Sequence, residues 1–306
     1  MIKNQIIKIL IAILIILATV AVIDILFGKF ADMLFIHSNK SKFSYAVNSQ
    51  ESPEIVIFGS SKAENHYDTP YINDSLKISA FNLGEPGRGL TYHEAAMTSY
   101  LKKHSPKTVI LDLLPDDLSG RGNNRIKPLY PYIDEFPEIY QVAINVDRRN
   151  QFFLKSYLLR YNTEVFEHIK KYRNPFLPTF FGFYPLISRN SHSSLKEKTY
   201  NSLGYKIDPI AKKCLIDIIE LCKSKKVNFV VVYSPEFYIR NHKLPITEIC
   251  DSLGVKLIDE RLFRSPVDPT EYFYDNRHLN KKGARAFTKR FMEHLAQDSI
   301  ISPKQI

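Results

Sequence analysis

The sequence predicts an α/β fold built on a parallel sheet and carried behind one long apolar N-terminal segment. Three observations predict it. Short runs rich in Val, Ile, Leu and Phe recur along the chain, each run opens into a loop of Gly, Ser, Pro or Asp, and helical sequences stand between the runs. Strands that alternate with helices in this way lie parallel, with their loops gathered at one edge of the sheet.

The N-terminal segment comes first. "IIKILIAILIILATVAVIDILFG", residues 6 to 28, is apolar apart from Lys8 and Asp24 near its ends, long enough to cross a bilayer as a helix. A cleaved signal peptide is the competing reading, but "TVA" at 19 to 21 is a poor small-residue cleavage site, so residues 1–30 are read as a retained anchor. Lys3 and Lys8 on one side face Lys29, Lys40 and Lys42 on the other. That balance orients the segment only weakly, and the expectation is an amino terminus inside and residues 30–306 outside the cytoplasm.

Residues 31–53 read as a polar linker closed by "NSQESP". The main domain is expected over 54–300. "EIVIFGSS" (54–61) is a buried strand running into a tight turn, and "ISAFNLGEPGRG" (78–89) repeats that layout with glycines after the strand. "LTYHEAAMTSYLKKH" (90–104) has helical composition with a basic last turn, and "KTVILDLLPDD" (107–117) is a third strand ending in a Pro-Asp loop. Strand, helix and strand make a βαβ unit.

From about 120 to 200 the rhythm breaks into a helical insertion crowded with aromatics, among them Phe152, Phe153, Tyr157, Tyr161, Phe176, Phe180, Phe181, Phe183 and Tyr184. Most such residues form a core, and an exposed group of them in "PFLPTFFGFYPL" would mark a substrate or membrane contact. The rhythm returns with a helix at 207–226, where Ala211, Cys214, Leu215, Ile218, Leu221 and Cys222 share one face. The strand "VNFVVVYSP" (227–235), a helix ending near Gly254, the short strand "VKLID" (255–259) and a terminal helix from about Lys281 to Gln297 complete the domain.

A formal charge of +10 suits anionic lipid headgroups or acidic glycans, and without a basic run or a nucleic-acid motif no nucleic-acid partner is expected. The three cysteines, Cys214, Cys222 and Cys250, are odd in number and lack metal-site spacing. They read as small buried hydrophobes. His66, His93, His104 and His242 likewise read as core or surface residues, and neither a metal nor a cofactor is expected.

Four segments deliver polar residues to the loop edge. In "FGSSKAENH", Ser60 or Ser61 is placed either as a nucleophile or as a helix cap. In "FNLGEPGRG", Gly87 can offer an N–H to a developing oxyanion or simply form a Gly-Pro turn, and Arg88 beside it can meet an acidic group or face solvent. In "LLPDDL", Asp116 and Asp117 either point into the cleft or cap the next turn. In "YDNRHLNKKGARAF", Asp275 three residues before His278 can fix the imidazole tautomer of a general base.

Taken in order over 54–298, these blocks resemble the SGNH (GDSL-like) hydrolases, which carry a strand-exit serine block, a glycine block, an asparagine block and a late Asp-x-x-His block. The resemblance implies a flavodoxin-like three-layer sandwich, with Ser61 as nucleophile, His278 as base, Asp275 as its partner, and the N–H groups of Ser61 and Gly87 as oxyanion hole. Asp116 stands where the family has its oxyanion-hole asparagine, and a carboxylate there repels an oxyanion unless protonated or turned away. The anchor and insertion are similar to those of envelope acyl-transfer proteins, such as those of alginate acetylation and of D-alanine transfer to teichoic acid.

The expectation is therefore a single-pass, extracytoplasmic serine acyltransferase or esterase acting on O-acyl groups, acetyl first, of a cell-envelope glycan, with Asp116 and Arg88 near the substrate. A multi-spanning membrane protein that delivers the acyl group is an implied partner, besides membrane lipid around the anchor. Two alternatives stay open: a catalytically silent glycan-binding or scaffold protein, and a lipid-directed esterase.

Overall fold

The computed structural model describes residues 2–36, 41–161, 180–187, 206–237, 245–261 and 269–302. It forms two compact units, Met1–Asn48 with Lys127–Phe176, and Ser49–Ile126 with Leu177–Ile306.

The second unit is the α/β domain. Its strands β1 (Ile55–Gly59), β2 (Ala80–Asn82), β3 (Thr108–Asp112), β4 (Asn228–Tyr233) and β5 (Lys256–Asp259) form one sheet in the order β2-β1-β3-β4-β5. Every pairing is parallel, for example Ile55 with Thr108 and Thr108 with Asn228. This is the flavodoxin-like order, with its switch point between β1 and β3. Both of those strands are buried along their whole length, which is why they read as unbroken apolar runs rather than alternating ones.

The pleat divides the strand side chains between two helical layers. Ile55, Ile57, Ile110, Val230 and Val232 pack with Ala63 and Tyr67 and with Phe287 and Phe291. These partners lie in or beside α3 (Ser61–His66) and in the terminal helix, here α11 (Lys281–Gln297). On the other face, Phe58 meets Tyr100 of α5 (Leu90–Lys103) edge-on at 5.9 Å between ring centroids. Helix α9 (Pro209–Ser224) packs beside α5. It starts where the sequence signals a cap, with Asp208 accepting from the Ala211 N–H at 2.8 Å and Pro209 in the first turn. Ile219 joins its buried face while Leu221 is only half-buried. The α/β layer is completed by α4 (Thr69–Ser75), which follows α3, and by α10 (Pro245–Ser252) beside β5.

The first unit is built on α1 (Ile2–Phe35), one helix long and apolar enough to cross a membrane. It is about 50 Å long at roughly 1.5 Å per residue, against a hydrocarbon core of about 30 Å. The stretch expected as a linker carries a helix, α2 (Lys42–Asn48), because Phe43 stacks edge-on against Tyr132 of the insertion at 5.0 Å. The insertion contributes α6 (Pro137–Val146), α7 (Asn150–Phe153) and α8 (Tyr157–Tyr161).

Asp24, the carboxylate interrupting the apolar segment, has a structural use. It accepts from the Ser156 hydroxyl at 2.8 Å and from the backbone N–H groups of Tyr157 at 3.0 Å and Leu158 at 2.7 Å, satisfying the orphan donors of α8. One helical turn or two further on, Tyr161 donates its hydroxyl to Asp32, and its ring lies against Phe27 and Ala31. Phe152, Phe153, Leu158 and Leu159 remain exposed.

Phe176, His242 and most of "PFLPTFF" lie outside the described residues. Of the rest of that aromatic stretch, Phe183 is buried while Phe180, Phe181 and Tyr184 are exposed. Cys214, Cys222 and Cys250 are free and buried. Burial pushes the Cys222 thiol up to about 12 and the Cys250 thiol up to about 11.

Candidate active site

The site lies at the carboxyl ends of β1 and β3. Gly59 closes β1 with a φ of 144°, and a Cβ there would sit 2.4 Å from the Asp112 carbonyl oxygen on the neighbouring strand. Only glycine lets the chain leave β1 this close to β3 and place Ser60 and Ser61 at the exit. Ser60 is buried; Ser61 opens α3.

The Ser61 Oγ lies 2.8 Å from Nε2 of His278. The other ring nitrogen of His278, Nδ1, lies 2.9 and 3.0 Å from the two carboxylate oxygens of Asp275. A donor at Nδ1 leaves Nε2 unprotonated and able to accept the serine proton. Asp275 is itself tied down by the backbone N–H groups of Arg277 at 2.7 Å and His278 at 2.9 Å, which is what the two-residue spacing achieves. Burial works to raise its carboxyl, but the His278 ring and the Arg277 N–H outweigh it and hold it below the usual carboxylate range.

His66 supports this loop from below. It is fully buried, its Nδ1 lies 2.9 Å from the Ser234 hydroxyl, and its Nε2 accepts from the Leu279 N–H at 3.0 Å. Burial first, and then the nearby Lys62 ammonium, hold its pKa well below the usual imidazole range. A neutral ring donating to Ser234 and accepting from Leu279 fits both contacts. Lys62, also buried, donates to the Ser234 carbonyl at 2.7 Å and pairs with Glu236 at 3.4 Å.

Ser61 opens into a cavity of about 110 Å³ lined also by Ser60, Gly87, Leu114 and Asp117. Gly87 adopts a φ of 73°, and among the described residues neither its N–H nor that of Ser61 donates to an acceptor. Asp116 is turned away. Its carboxylate pairs with Arg121 at 2.7 Å, and it does not line the cavity. Its neighbour Asp117 does, with one oxygen accepting from the Leu114 N–H at 2.8 Å. Burial pushes the Asp117 carboxyl up to about 8, so it is largely protonated at neutral pH and adds little negative charge to the cavity.

Arg88 also lines the cavity, with Arg121, Arg125 and Arg277. Its guanidinium pairs with Glu85 at 3.3 Å and donates to the Arg125 carbonyl at 3.3 Å. Ser61, Gly87, Arg88 and the Asp275–His278 pair are thus brought together, while Asp116 is set aside.

Of the two readings left open for Asp117, the cleft is the one it takes, while Arg121, Arg125 and Arg277 carry no sequence-based role, nor does His66 beyond that of a core or surface residue. Arg121 and Arg125 share one loop far along the chain from Arg277, and none carries a local signal; only the adjacency of Arg277 to His278 could have singled one out. The described residues contain no group of three or more His, Cys, Asp or Glu side chains arranged to hold a metal ion.

No family model matches the sequence, and no curated protein matches it. Solved structures with a related course of chain include a protein from Bacteroides fragilis described as an acylhydrolase, at 9% identity and a TM-score of 0.43, covering 88% of this chain and 98% of that one. A protein from Desulfitobacterium hafniense described as lipolytic and of the G-D-S-L family aligns at 9% identity and a TM-score of 0.38, covering 78% and 97%. A third, from Streptococcus pneumonia and described as a platelet activating factor, aligns at 11% identity and a TM-score of 0.32, covering 87% and 97%. At these identities and scores, the reading of the site rests on its own geometry.

Proposed function

We propose that the chain is a membrane-anchored serine esterase or O-acyltransferase that works outside the cytoplasm on short O-acyl groups, acetyl first, of a cell-envelope glycan. The observation that carries the chemistry is the continuous hydrogen-bond line from Ser61 through His278 to Asp275 beside a small cavity.

In the first step the Ser61 hydroxyl proton passes to Nε2 of His278 while Oγ bonds to the acyl carbon, and the carbonyl electrons move onto oxygen. The free N–H groups of Ser61 and Gly87 serve as donors to that oxyanion. Its collapse breaks the ester C–O bond, and His278 returns the proton to the leaving alkoxide. Water or a sugar hydroxyl then gives its proton to His278 and attacks the acyl-serine, and as the acyl–Oγ bond breaks His278 passes that proton to Oγ, restoring Ser61.

One contact and one volume favour this reading over its rivals. A silent binding protein was suggested by the carboxylate of Asp116, yet that group is drawn off to Arg121. A lipid-directed esterase needs room for an acyl chain, whereas about 110 Å³ is well below the roughly 300–1,000 Å³ of ordinary ligand pockets. The aromatic and leucine side chains left exposed on α7 and α8 fit contact with the bilayer around α1 rather than with substrate.

Retention of α1 is supported by the bonds from Asp24 and Asp32 to α8, and the extracytoplasmic placement follows from the orientation read in the sequence. The test is mass spectrometry of the full chain in detergent after exposure to an activated acetyl ester, beside Ser61→Ala and His278→Ala proteins. An acetyl adduct on Ser61 that both substitutions abolish is the expected result. Absence of any adduct and of any ester turnover in the folded protein would overturn the enzyme reading.

A further inference from the structure

Four arginines line the cavity that holds Ser61: Arg88, Arg121, Arg125 and Arg277. A catalytic serine working on a neutral acetyl ester has no use for four cations. Their own partners account for only part of the charge. Arg88 pairs with Glu85, and Arg121 with Asp116. Arg125 is hydrogen-bonded to the Gly87 carbonyl at 3.0 Å, a neutral acceptor. Neither Arg125 nor the Arg277 guanidinium forms an ion pair with any carboxylate among the described residues.

The remaining acids do not cancel the surplus. Asp117, inside the cavity, is held largely protonated by burial. Asp275 is committed to His278 and to two backbone N–H groups. In addition, the Nε of Arg88 is buried without a hydrogen-bond partner. A buried donor left unmade disfavours the fold unless an acceptor reaches it.

We infer that the site takes an ester whose acyl or alcohol part carries a fixed oxyanion, a carboxylate or a phosphate, gripped by Arg125 and Arg277 beside the reacting Ser61. Guanidinium forks match the paired oxygens of both anions, and a concave wall of one sign concentrates such ligands. This rests on the serine reading for its catalytic part but not for its binding part, and the test separates the two.

In the full chain in detergent, turnover of neutral phenyl acetate is compared with that of 4-acetoxybenzoate, which adds a carboxylate, and of 4-acetoxyphenyl phosphate, which adds a phosphate. At least one anionic ester is expected to exceed phenyl acetate in kcat/KM by about tenfold or more. That ratio should fall toward unity in Arg277→Gln and in Arg125→Gln, and whichever anionic ester is preferred identifies the anion. A ratio near unity in the unaltered protein, or one that neither substitution changes, overturns the inference.

If no ester is turned over, the serine reading fails alone, and binding is read from melting temperature. Inorganic phosphate, against chloride of matched ionic strength, is then expected to raise the melting temperature of the unaltered and Ser61→Ala proteins but not of Arg277→Gln or Arg125→Gln. Equal effects of phosphate and chloride overturn the anion site as well.

Discussion

The backbone N–H of Leu279 donates to Nε2 of His66 at 3.0 Å, so a buried histidine holds the residue that follows His278. Two imidazoles thus act in series, one at the surface of the site and one beneath it, with ring centroids 6.3 Å apart. Replacing His66 by Phe leaves the Leu279 N–H and the Ser234 hydroxyl without their partner. The expected cost is about 1–3 kcal/mol of stability. Turnover should drop by about tenfold or more as His278 loses its register. Unfolding curves and kcat measured together check this, and full activity in a stable His66→Phe protein would show that His278 needs no such support.

The same histidine sets an acid limit. Its folded pKa is depressed, so its contribution to stability is present above the ordinary value of about 6.5 and is lost as pH falls below it, because only the unfolded chain then takes the proton. Stability should fall by up to about 1.4 kcal/mol per pH unit over the first unit or so below that value. Denaturant titrations at several pH values test it, with His66→Gln expected to flatten the slope.

Asp117 has the opposite sign. Its carboxyl titrates at about 8 in the fold, so the stability it contributes is complete below its ordinary value of about 3.9 and drains away as pH rises toward 8. Asp117→Asn, which keeps an acceptor for the Leu114 N–H, should be more stable than the unaltered chain at pH 8 by on the order of 1 kcal/mol or more, and little different at pH 4. Identical pH profiles for the two proteins would mean that Asp117 is ionised in the fold.

Asp275→Asn should lower kcat by about 10²–10⁴ with little change in KM, because the amide no longer fixes the imidazole tautomer or balances its charge. Steady-state kinetics on an activated acetyl ester provide the readout. A loss below about threefold would remove Asp275 from the mechanism.

Gly87→Ala places a side chain at a φ of 73°, a strain of about 1–2 kcal/mol, with its Cβ 2.8 Å from a guanidinium nitrogen of Arg125. The loop must shift, and the N–H assigned to the oxyanion moves with it. A fall in kcat of about tenfold or more is expected, and an unchanged kcat would exclude Gly87 as a donor.

The sheet is legible in the sequence because its strands are continuous apolar runs ending in loop residues; the runs at 54–61, 107–117 and 227–235 contain β1, β3 and β4. The Asp275–His278 contact is legible for a different reason: the two lie within one turn, so spacing alone brings carboxylate to imidazole. Their meeting with Ser61, 217 positions away in the chain, depends on strand order, which the alternating pattern and the family resemblance imply.

The arginine wall is not legible. Arg88, Arg277 and the pair Arg121 and Arg125 sit on three separate loops with no common period, and a surface arginine has the same local signature as a ligand-binding one. The bond from Asp24 to α8 is hidden likewise, since 132 residues separate it from Ser156 and a lone carboxylate near the end of an apolar segment reads as a boundary.

The two compact units are interlaced along the chain, each made of two stretches separated by part of the other. During synthesis α1 emerges long before α8, so Asp24 must wait for its donors while the first three strands of the sheet are made. The sheet in turn waits for β4 and β5 until the insertion is complete. The first unit is therefore complete by residue 176 while the second still lacks its later stretch, and no single cut leaves both whole: trimming the chain after α1 strips α8 of its carboxylate partners, and ending it before residue 177 removes two of the five strands together with His278.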